Sequence, residues 1–165
     1  YKAALKFATG ESKHPVGIRV PNIWCELDND NHTDFTKNMC VLSGSDVAII
    51  AVGPMLKMAL EVAKDIKKIY QKDITVINPI NVSNLDYETL DKLKENHKLI
   101  ITLEDGELQG GYGVNIASYL GADAIKVMNF GISKKFHTDF KAKELLAKCG
   151  MSKENLVNII KDYLS

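Results

Sequence analysis

Short, continuous apolar runs recur along the chain and are separated by segments with a different, helical spacing. Runs of this kind are typical of strands that a parallel sheet buries on both faces. Four of them predict core strands, at 47–52, 74–80, 99–103 and 124–129. A shorter segment, 38–42, predicts a further strand at one edge of the sheet. Together these segments predict one sheet of about five strands.

Amphipathic helices are predicted between and after the strands. Residues 55–70 place apolar side chains at spacings of three and four, with lysines and acids on the opposite face. The same spacing, together with capping residues, predicts helices from Asn84 or Asp86 to about Glu95, over 114–120, over 141–148 and over 153–164. Strands joined by such helices form right-handed crossovers, so we expect an α/β fold of three α/β/α layers with a mainly parallel sheet.

The residues that precede this region follow neither pattern throughout. Residues 1–8 have a helical apolar face, and 15–21 predict a short strand between two prolines, which cannot donate hydrogen bonds to a sheet ladder. A polar, irregular stretch follows and is interpreted as a linker. The chain is thus divided into an N-terminal piece, 1–22, a linker, 23–37, and an α/β domain, 38–165.

Composition and charge argue against several classes of partner. Lysine plus arginine and aspartate plus glutamate both number 21, so the formal net charge is zero and does not attract nucleic acid or an anionic membrane. No apolar run approaches the roughly 20 residues needed to cross a bilayer. Cys25, Cys40 and Cys149 lack the spacing of a disulfide framework or a zinc site, which favours a reducing, cytoplasmic setting. The chain starts at Tyr1 rather than methionine, which favours a piece of a longer protein.

An acidic, glycine-rich segment, 104–113, follows the third core strand and precedes a helix. Glycines let backbone N–H groups approach an anion, and a helix N-terminus adds partial positive charge, so a phosphate cradle is one interpretation. However, the spacing of the glycines matches no phosphate-binding motif, and Glu104, Asp105 and Glu107 would repel a phosphate. A structural turn or a contact between subunits is therefore the favoured interpretation.

Two other patterns were considered for metal or acid–base chemistry. The alternating acids of 28–34 are similar to the start of a calcium loop, but the required glycine and glutamate are Thr33 and Met39, so we interpret the segment as a solvated linker. The four histidines form no nucleophile or metal pattern with the cysteines. His137 follows a predicted strand end, where α/β sites gather, and is interpreted as a surface or interface residue.

Arg19 is the remaining candidate for chemistry. It lies within the short predicted strand of the N-terminal piece, and its planar guanidinium suits a carboxylate or a phosphate. From its position alone, an anion-binding role and a structural salt bridge both stay open.

Several stretches resemble, in order and separation, the 1-deoxy-D-xylulose-5-phosphate synthase family, which is related to transketolase. HPVGIRVPN is similar to the family's PxAIRYPRG segment, which closes its pyrimidine-binding domain, and ITLEDGELQGGYG is similar to its TVEE-x-x-x-x-GG-x-G stretch. The matching regions are 14–22, 47–53 with 74–86, 101–113, 129–136 and 145–150, which together reach across nearly the whole chain. The resemblance implies that 38–165 is a transketolase-like C-terminal domain and that 1–22 ends the preceding pyrimidine-binding domain.

The resemblance also implies an activity for a longer parent protein. Such enzymes condense pyruvate with glyceraldehyde 3-phosphate, with loss of carbon dioxide, and use thiamine diphosphate and Mg²⁺. In this family the upstream domains hold cofactor and metal, so we expect no catalytic, cofactor-binding or metal-binding residue in this chain. Arg19 matches the first arginine of the RYPR segment, which implies substrate binding through the phosphate of the acceptor sugar. The C-terminal domain chiefly packs a homodimer, so Glu104 and Tyr112 are interface candidates, and the other expected partners are the upstream domains of the polypeptide and small-molecule substrates.

The chain departs from the family pattern at two places. Asn22 stands where the family has a second arginine, and Ser133 and Lys134 stand where it has proline and aspartate. These departures indicate a divergent member or a relative with an altered substrate. Two alternatives therefore stay open: the C-terminal domain of a transketolase or oxoacid dehydrogenase β-subunit, and an independent anion- or nucleotide-binding module that uses the loop 106–113.

Overall fold

One sheet of five strands forms the middle layer of the fold, in a computed structural model that describes residues 2–20, 34–138 and 141–164. The strands are β1 (Met39–Leu42), β2 (Asp46–Ala51), β3 (Thr75–Asn78), β4 (His97–Glu107) and β5 (Lys126–Ile132). Their order across the sheet is β1-β3-β2-β4-β5. The pairs β2–β3, β2–β4 and β4–β5 are parallel, and β1 is antiparallel to β3 at the edge. The prediction of a mainly parallel sheet with an edge strand before its core strands is confirmed.

Helices cover both faces of the sheet. They are α2 (Met55–Tyr70), α3 (Tyr87–Asn96), α4 (Tyr112–Tyr119), α5 (Ala142–Lys148) and α6 (Lys153–Ile160), with a 3₁₀ turn at Lys161–Tyr163. The N-terminal helix α1 (Lys2–Lys6) has no buried residue and is followed by a π-helical turn at Phe7–Glu11. On one face, β2 packs Val47, Ile49 and Ala51 with residues of α2, α5 and α6. On the other face, Ala48 and Ile50 pack with α3 and α4. The predicted three α/β/α layers are therefore confirmed, and alternate residues of each core strand fill opposite cores.

Local sequence signals set the helix ends. The Asp86 carboxylate accepts a hydrogen bond from the backbone N–H of Thr89 at the start of α3, and the Ser152 hydroxyl accepts one from Asn155 at the start of α6. After α5, Gly150 adopts a left-handed φ of 80° and its N–H donates to the carbonyl of Ala147. This is a common glycine-dependent helix end. No helix among the described residues is long and apolar enough to cross a membrane.

Three sequence predictions require correction. Residues 15–20 are not a strand, because their backbone groups pair with no strand among the described residues, and Pro21 lies outside that part of the chain. Conversely, β4 continues past the predicted end at 103 through the acidic residues to Glu107, which pairs with Ile132 of β5. The helical segment predicted over 1–8 is α-helical only to Lys6, and it continues past residue 8 as the π-helical turn to Glu11.

Other boundaries moved or lie outside the described residues. β5 begins and ends later than predicted, at Lys126–Ile132 instead of 124–129. Most of the predicted linker and of the calcium-like pattern falls in 21–33, outside the described residues, while residues 35–37 form a turn before β1. The domain division at 22 and 37 stays a prediction.

Candidate functional site

The carboxyl end of β4 places Glu104 against the first turn of α4. One carboxylate oxygen, Oε2, accepts a hydrogen bond from the backbone N–H of Tyr112 at 2.9 Å, and Oε1 accepts one from Gly113 at 2.8 Å. Glu104 is only 8% exposed. A negative charge at a helix N-terminus is stabilised both by these donors and by the helix dipole. The protein thus fills its own anion site, and the interpretation of this loop as a phosphate cradle is wrong.

Glycines allow α4 to approach the sheet this closely. A Cβ atom on Gly113 would lie 2.1 Å from the Thr102 hydroxyl oxygen, which donates a hydrogen bond to Asn129 of β5. A Cβ atom on Gly111 would lie 2.8 Å from the Glu104 carboxylate. Close packing of a helix on two strands therefore explains two glycines of this segment, Gly111 and Gly113, while Gly110 adopts a left-handed φ of 77°.

Arg19 lies against the same end of β4. Its Nη1 donates to Oδ1 of Asp105 at 2.6 Å and its Nη2 donates to Oδ2 at 2.8 Å, which is an end-on bidentate pair. These hydrogen bonds raise the pKa of the Arg19 guanidinium above its usual value. The side chains are 64% and 24% exposed, and three of the five guanidinium N–H groups take no part in the pair. The salt bridge that the sequence left open is present, and substrate binding by Arg19 stays a prediction.

A groove of about 530 Å³ adjoins this pair, and we call it the β4–β5 end groove. Its walls are 105–107, at the end of β4, and 132–137, at and after the end of β5. Lys134 Nζ lies 3.4 Å from Glu107 Oε1 across the groove. The His137 ring, through Nε2, is 2.9 Å from the Ser133 carbonyl oxygen and so closes the loop after β5. His137 lines the same groove as Asp105 and Glu107, as expected for a residue that follows a parallel strand.

A second groove, of about 410 Å³, lies on the α3/α4 side. It is lined by 82–85 and by residues of the two helices, among them Tyr87, Tyr112 and Tyr119, and its lining contains no charged side chain. Burial raises the pKa of the Tyr112 hydroxyl. Because Tyr112 is 4% exposed and Glu104 is also buried, this chain itself covers both side chains, which corrects the expectation that they form a contact surface.

The sequence identifies Arg19 and His137 as candidates but does not identify the residues that surround them, Asp105 and Lys134. In the sequence, Asp105 is only one acid of the glycine segment and Lys134 only a departure from a family pattern. The available signal was topological, since the ends of adjacent parallel strands meet at one edge of a sheet. Among the described residues, no three His, Cys, Asp or Glu side chains come together to hold a metal ion.

Comparisons with known proteins agree with this architecture. The family model described as "Transketolase, C-terminal domain" matches residues 38–156. The 1-deoxy-D-xylulose-5-phosphate synthase of Carboxydothermus hydrogenoformans is 31% identical over 156 residues, which cover 92% of this chain and 25% of that protein. The enzyme of the same name from Histophilus somni (strain 2336) is 28% identical over 155 residues, which cover 91% of this chain and 24% of that protein. The chain thus spans about a quarter of the length of these curated relatives.

Solved structures show the same fold. A structure described as "Split gene transketolase, inactive beta4 tetramer" superposes with a TM-score of 0.70 at 25% identity and covers 79% of this chain and 43% of that one. A transketolase mutant from Pichia stipitis superposes with a TM-score of 0.53 at 14% identity, over 76% of this chain and 18% of that one. The second likeness concerns the fold alone.

Proposed function

This chain belongs to the transketolase C-terminal domain family, and from that premise we propose that it is the C-terminal domain of a 1-deoxy-D-xylulose-5-phosphate synthase. The longer protein would condense pyruvate with glyceraldehyde 3-phosphate, with loss of carbon dioxide. One observation carries the choice within the family. The domain model begins at residue 38, whereas the similarity to synthases covers 91–92% of the chain and so continues upstream of the domain.

The proposed role of this chain within that enzyme is structural. Thiamine diphosphate would supply the electron sink for the decarboxylation, with Mg²⁺ as the anchor of its diphosphate. The described residues do not fit that group, because the N–H groups in the first turn of α4, which could bind a phosphate, already donate to the Glu104 carboxylate. A diphosphate placed there would face a buried negative charge. We therefore assign cofactor and metal to the upstream domains of the polypeptide and no catalytic residue to this chain.

Arg19 is proposed as the residue of this chain that binds substrate. Asp105 fixes the guanidinium by two hydrogen bonds, and its remaining N–H donors are available to the phosphate of the acceptor. The geometry supports this role because a guanidinium held at one end keeps its orientation when a second anion approaches its other edge.

We further propose that the enzyme is a cytoplasmic homodimer. Self-association is supported by the relative whose structure is described as a tetramer. The cysteine pattern supports a reducing compartment. Sedimentation equilibrium of the full-length protein tests the oligomeric state, with a species of twice the monomer mass expected.

An activity assay on the full-length natural polypeptide tests the proposed reaction. With thiamine diphosphate, Mg²⁺, pyruvate and glyceraldehyde 3-phosphate, we expect 1-deoxy-D-xylulose 5-phosphate and carbon dioxide in equal amounts. Transfer of a two-carbon unit between sugar phosphates, without use of pyruvate, would instead identify a transketolase. Absence of both reactions in a folded, cofactor-loaded protein would contradict the proposal.

A further inference from the structure

Positive charge gathers around the β4–β5 end groove. Lys134 and Lys135 line it, and Arg19 lies at its edge through the pair with Asp105. The two carboxylates of the groove, Asp105 and Glu107, are each already paired with one of these cations. Among the residues that the structure describes, Lys135 forms no ion pair. Three cations thus face two carboxylates, which leaves the groove with excess positive charge.

The ion pair between Lys134 and Glu107 is loosely held. Its separation is 3.4 Å, and the two side chains are 66% and 46% exposed. Exposed pairs of this kind contribute little free energy, so Lys134 can turn toward another anion at small cost. By contrast, Arg19 is fixed by two short hydrogen bonds. One rigid and two movable cations therefore surround the same space.

We propose that the β4–β5 end groove binds the phosphate group of a small phosphate monoester, with Lys134 and Lys135 as binding residues beside Arg19. This inference rests on the proposed function, because it assigns to this groove the phosphate of the acceptor substrate. It gives the C-terminal domain a part in substrate binding that a purely structural domain would not have.

The shape and chemistry of the groove favour a phosphate monoester over other ligands. Ile132 gives the groove an apolar side for a short carbon chain. A cationic ligand would be repelled by the two lysines of this groove. The second groove does not suit an anion, because its lining carries no charged side chain.

Two departures from the family pattern point the same way. Asn22 removes a positive charge where the family has its second arginine, and Lys134 adds one where the family has aspartate. Lys134 lies across the groove from Glu107, beside the residue that binds Arg19. Lys134 is thus a cation that this chain adds to the groove, from the loop after β5.

Calorimetric titration of the full-length protein with glycerol 3-phosphate, an unreactive monoester, tests this inference. We compare wild type with the double variant Lys134→Gln and Lys135→Gln, and with Lys92→Gln as a control. Lys92 is a match for Lys134 because it also forms an exposed pair with a glutamate, at 2.8 Å, with its side chain 69% exposed. We expect the double variant to weaken binding by about three- to tenfold and the control to leave it unchanged. Glycerol without the phosphate should not bind.

Kinetics of the active enzyme add a second readout. The double variant should raise the KM for glyceraldehyde 3-phosphate by a similar factor and leave the KM for pyruvate unchanged, since pyruvate carries no phosphate. Equal binding of glycerol 3-phosphate by wild type and double variant, or no binding by wild type, would overturn the inference. Failure of the wild type to form 1-deoxy-D-xylulose 5-phosphate would instead overturn the proposed function, and the titration would still decide whether the groove binds a phosphate monoester.

Discussion

Removal of the Glu104 carboxylate is expected to destabilise the start of α4 more than any change to the neighbouring acids. In Glu104→Ala, the N–H groups of Tyr112 and Gly113 lose their acceptor in a place that is covered from solvent. Each buried donor left without a partner costs about 1–3 kcal/mol. We therefore expect a loss of about 2–5 kcal/mol in the free energy of unfolding, a large part of the roughly 5–15 kcal/mol that holds a domain together.

Glu104→Gln removes the negative charge of the side chain but keeps its size, so it separates the contribution of the charge from that of the hydrogen bonds. The amide oxygen keeps one N–H partner, but the NH₂ group faces the other donor, and the favourable interaction with the helix dipole is lost. We expect a loss of about 1–3 kcal/mol, which lies between wild type and Glu104→Ala.

Urea unfolding followed by circular dichroism measures these losses, provided that the slope of the free energy against urea is unchanged. Glu107→Gln is the matched control, because that side chain is 46% exposed and its carboxylate forms a pair with Lys134 at 3.4 Å, and it should cost less than about 0.5 kcal/mol. Hydrogen exchange should also show faster exchange at Tyr112 and Gly113 in the Glu104 variants. Equal losses for Glu104→Gln and Glu107→Gln would refute the assignment of Glu104 as the cap of α4.

Three further predictions concern packing, pH and the N-terminal segment. Gly113→Ala should lower the free energy of unfolding by about 1–3 kcal/mol, because the added Cβ would lie 2.1 Å from a threonine oxygen of β4. In the control Gly106→Ala nothing lies within 4 Å of the added Cβ, so the free energy of unfolding should change by less than about 0.5 kcal/mol. Burial lowers the pKa of His97 below its usual 6.5, so below pH 6.5 the unfolded chain binds a proton that the folded state disfavours. The contribution of His97 to stability is therefore complete above pH 6.5 and should fall as the pH drops below that value. In a profile of the urea midpoint against pH, His97→Gln should flatten this fall. Asp105→Asn should weaken the hold on 12–20 and speed limited proteolysis in that segment, and unchanged cleavage would argue against the pair with Arg19 as its anchor.

The spacing of apolar residues predicted the core of the fold, because that spacing depends on which face of each strand or helix is buried. The run 47–52 and the helix 55–70 were identified in this way, and β2 and α2 match them within one or two residues. The extension of β4 to Glu107 was not predictable from local composition. Its acidic residues find partners outside the strand, since Arg19 pairs with Asp105 and the first turn of α4 binds Glu104. The end of the extension also pairs with Ile132 of β5.

The candidate site was predictable in its residues and not in its contacts. Arg19 was identified from its residue type and its place in a resembling motif, but its partner Asp105 lies 86 positions away in sequence. Lys134 joins Glu107 only because β4 and β5 are parallel neighbours. Long-range pairs of this kind are set by topology, which local patterns do not specify.

Calorimetric titration of thiamine diphosphate with Mg²⁺ tests whether the cofactor binds outside this chain, with this chain alone compared with the same chain extended through its natural upstream sequence. We expect saturable binding to the extended protein and none to residues 1–165, provided that circular dichroism and a cooperative unfolding transition show the short chain to be folded. Saturable binding to the folded short chain would contradict the assignment of the cofactor to the upstream domains.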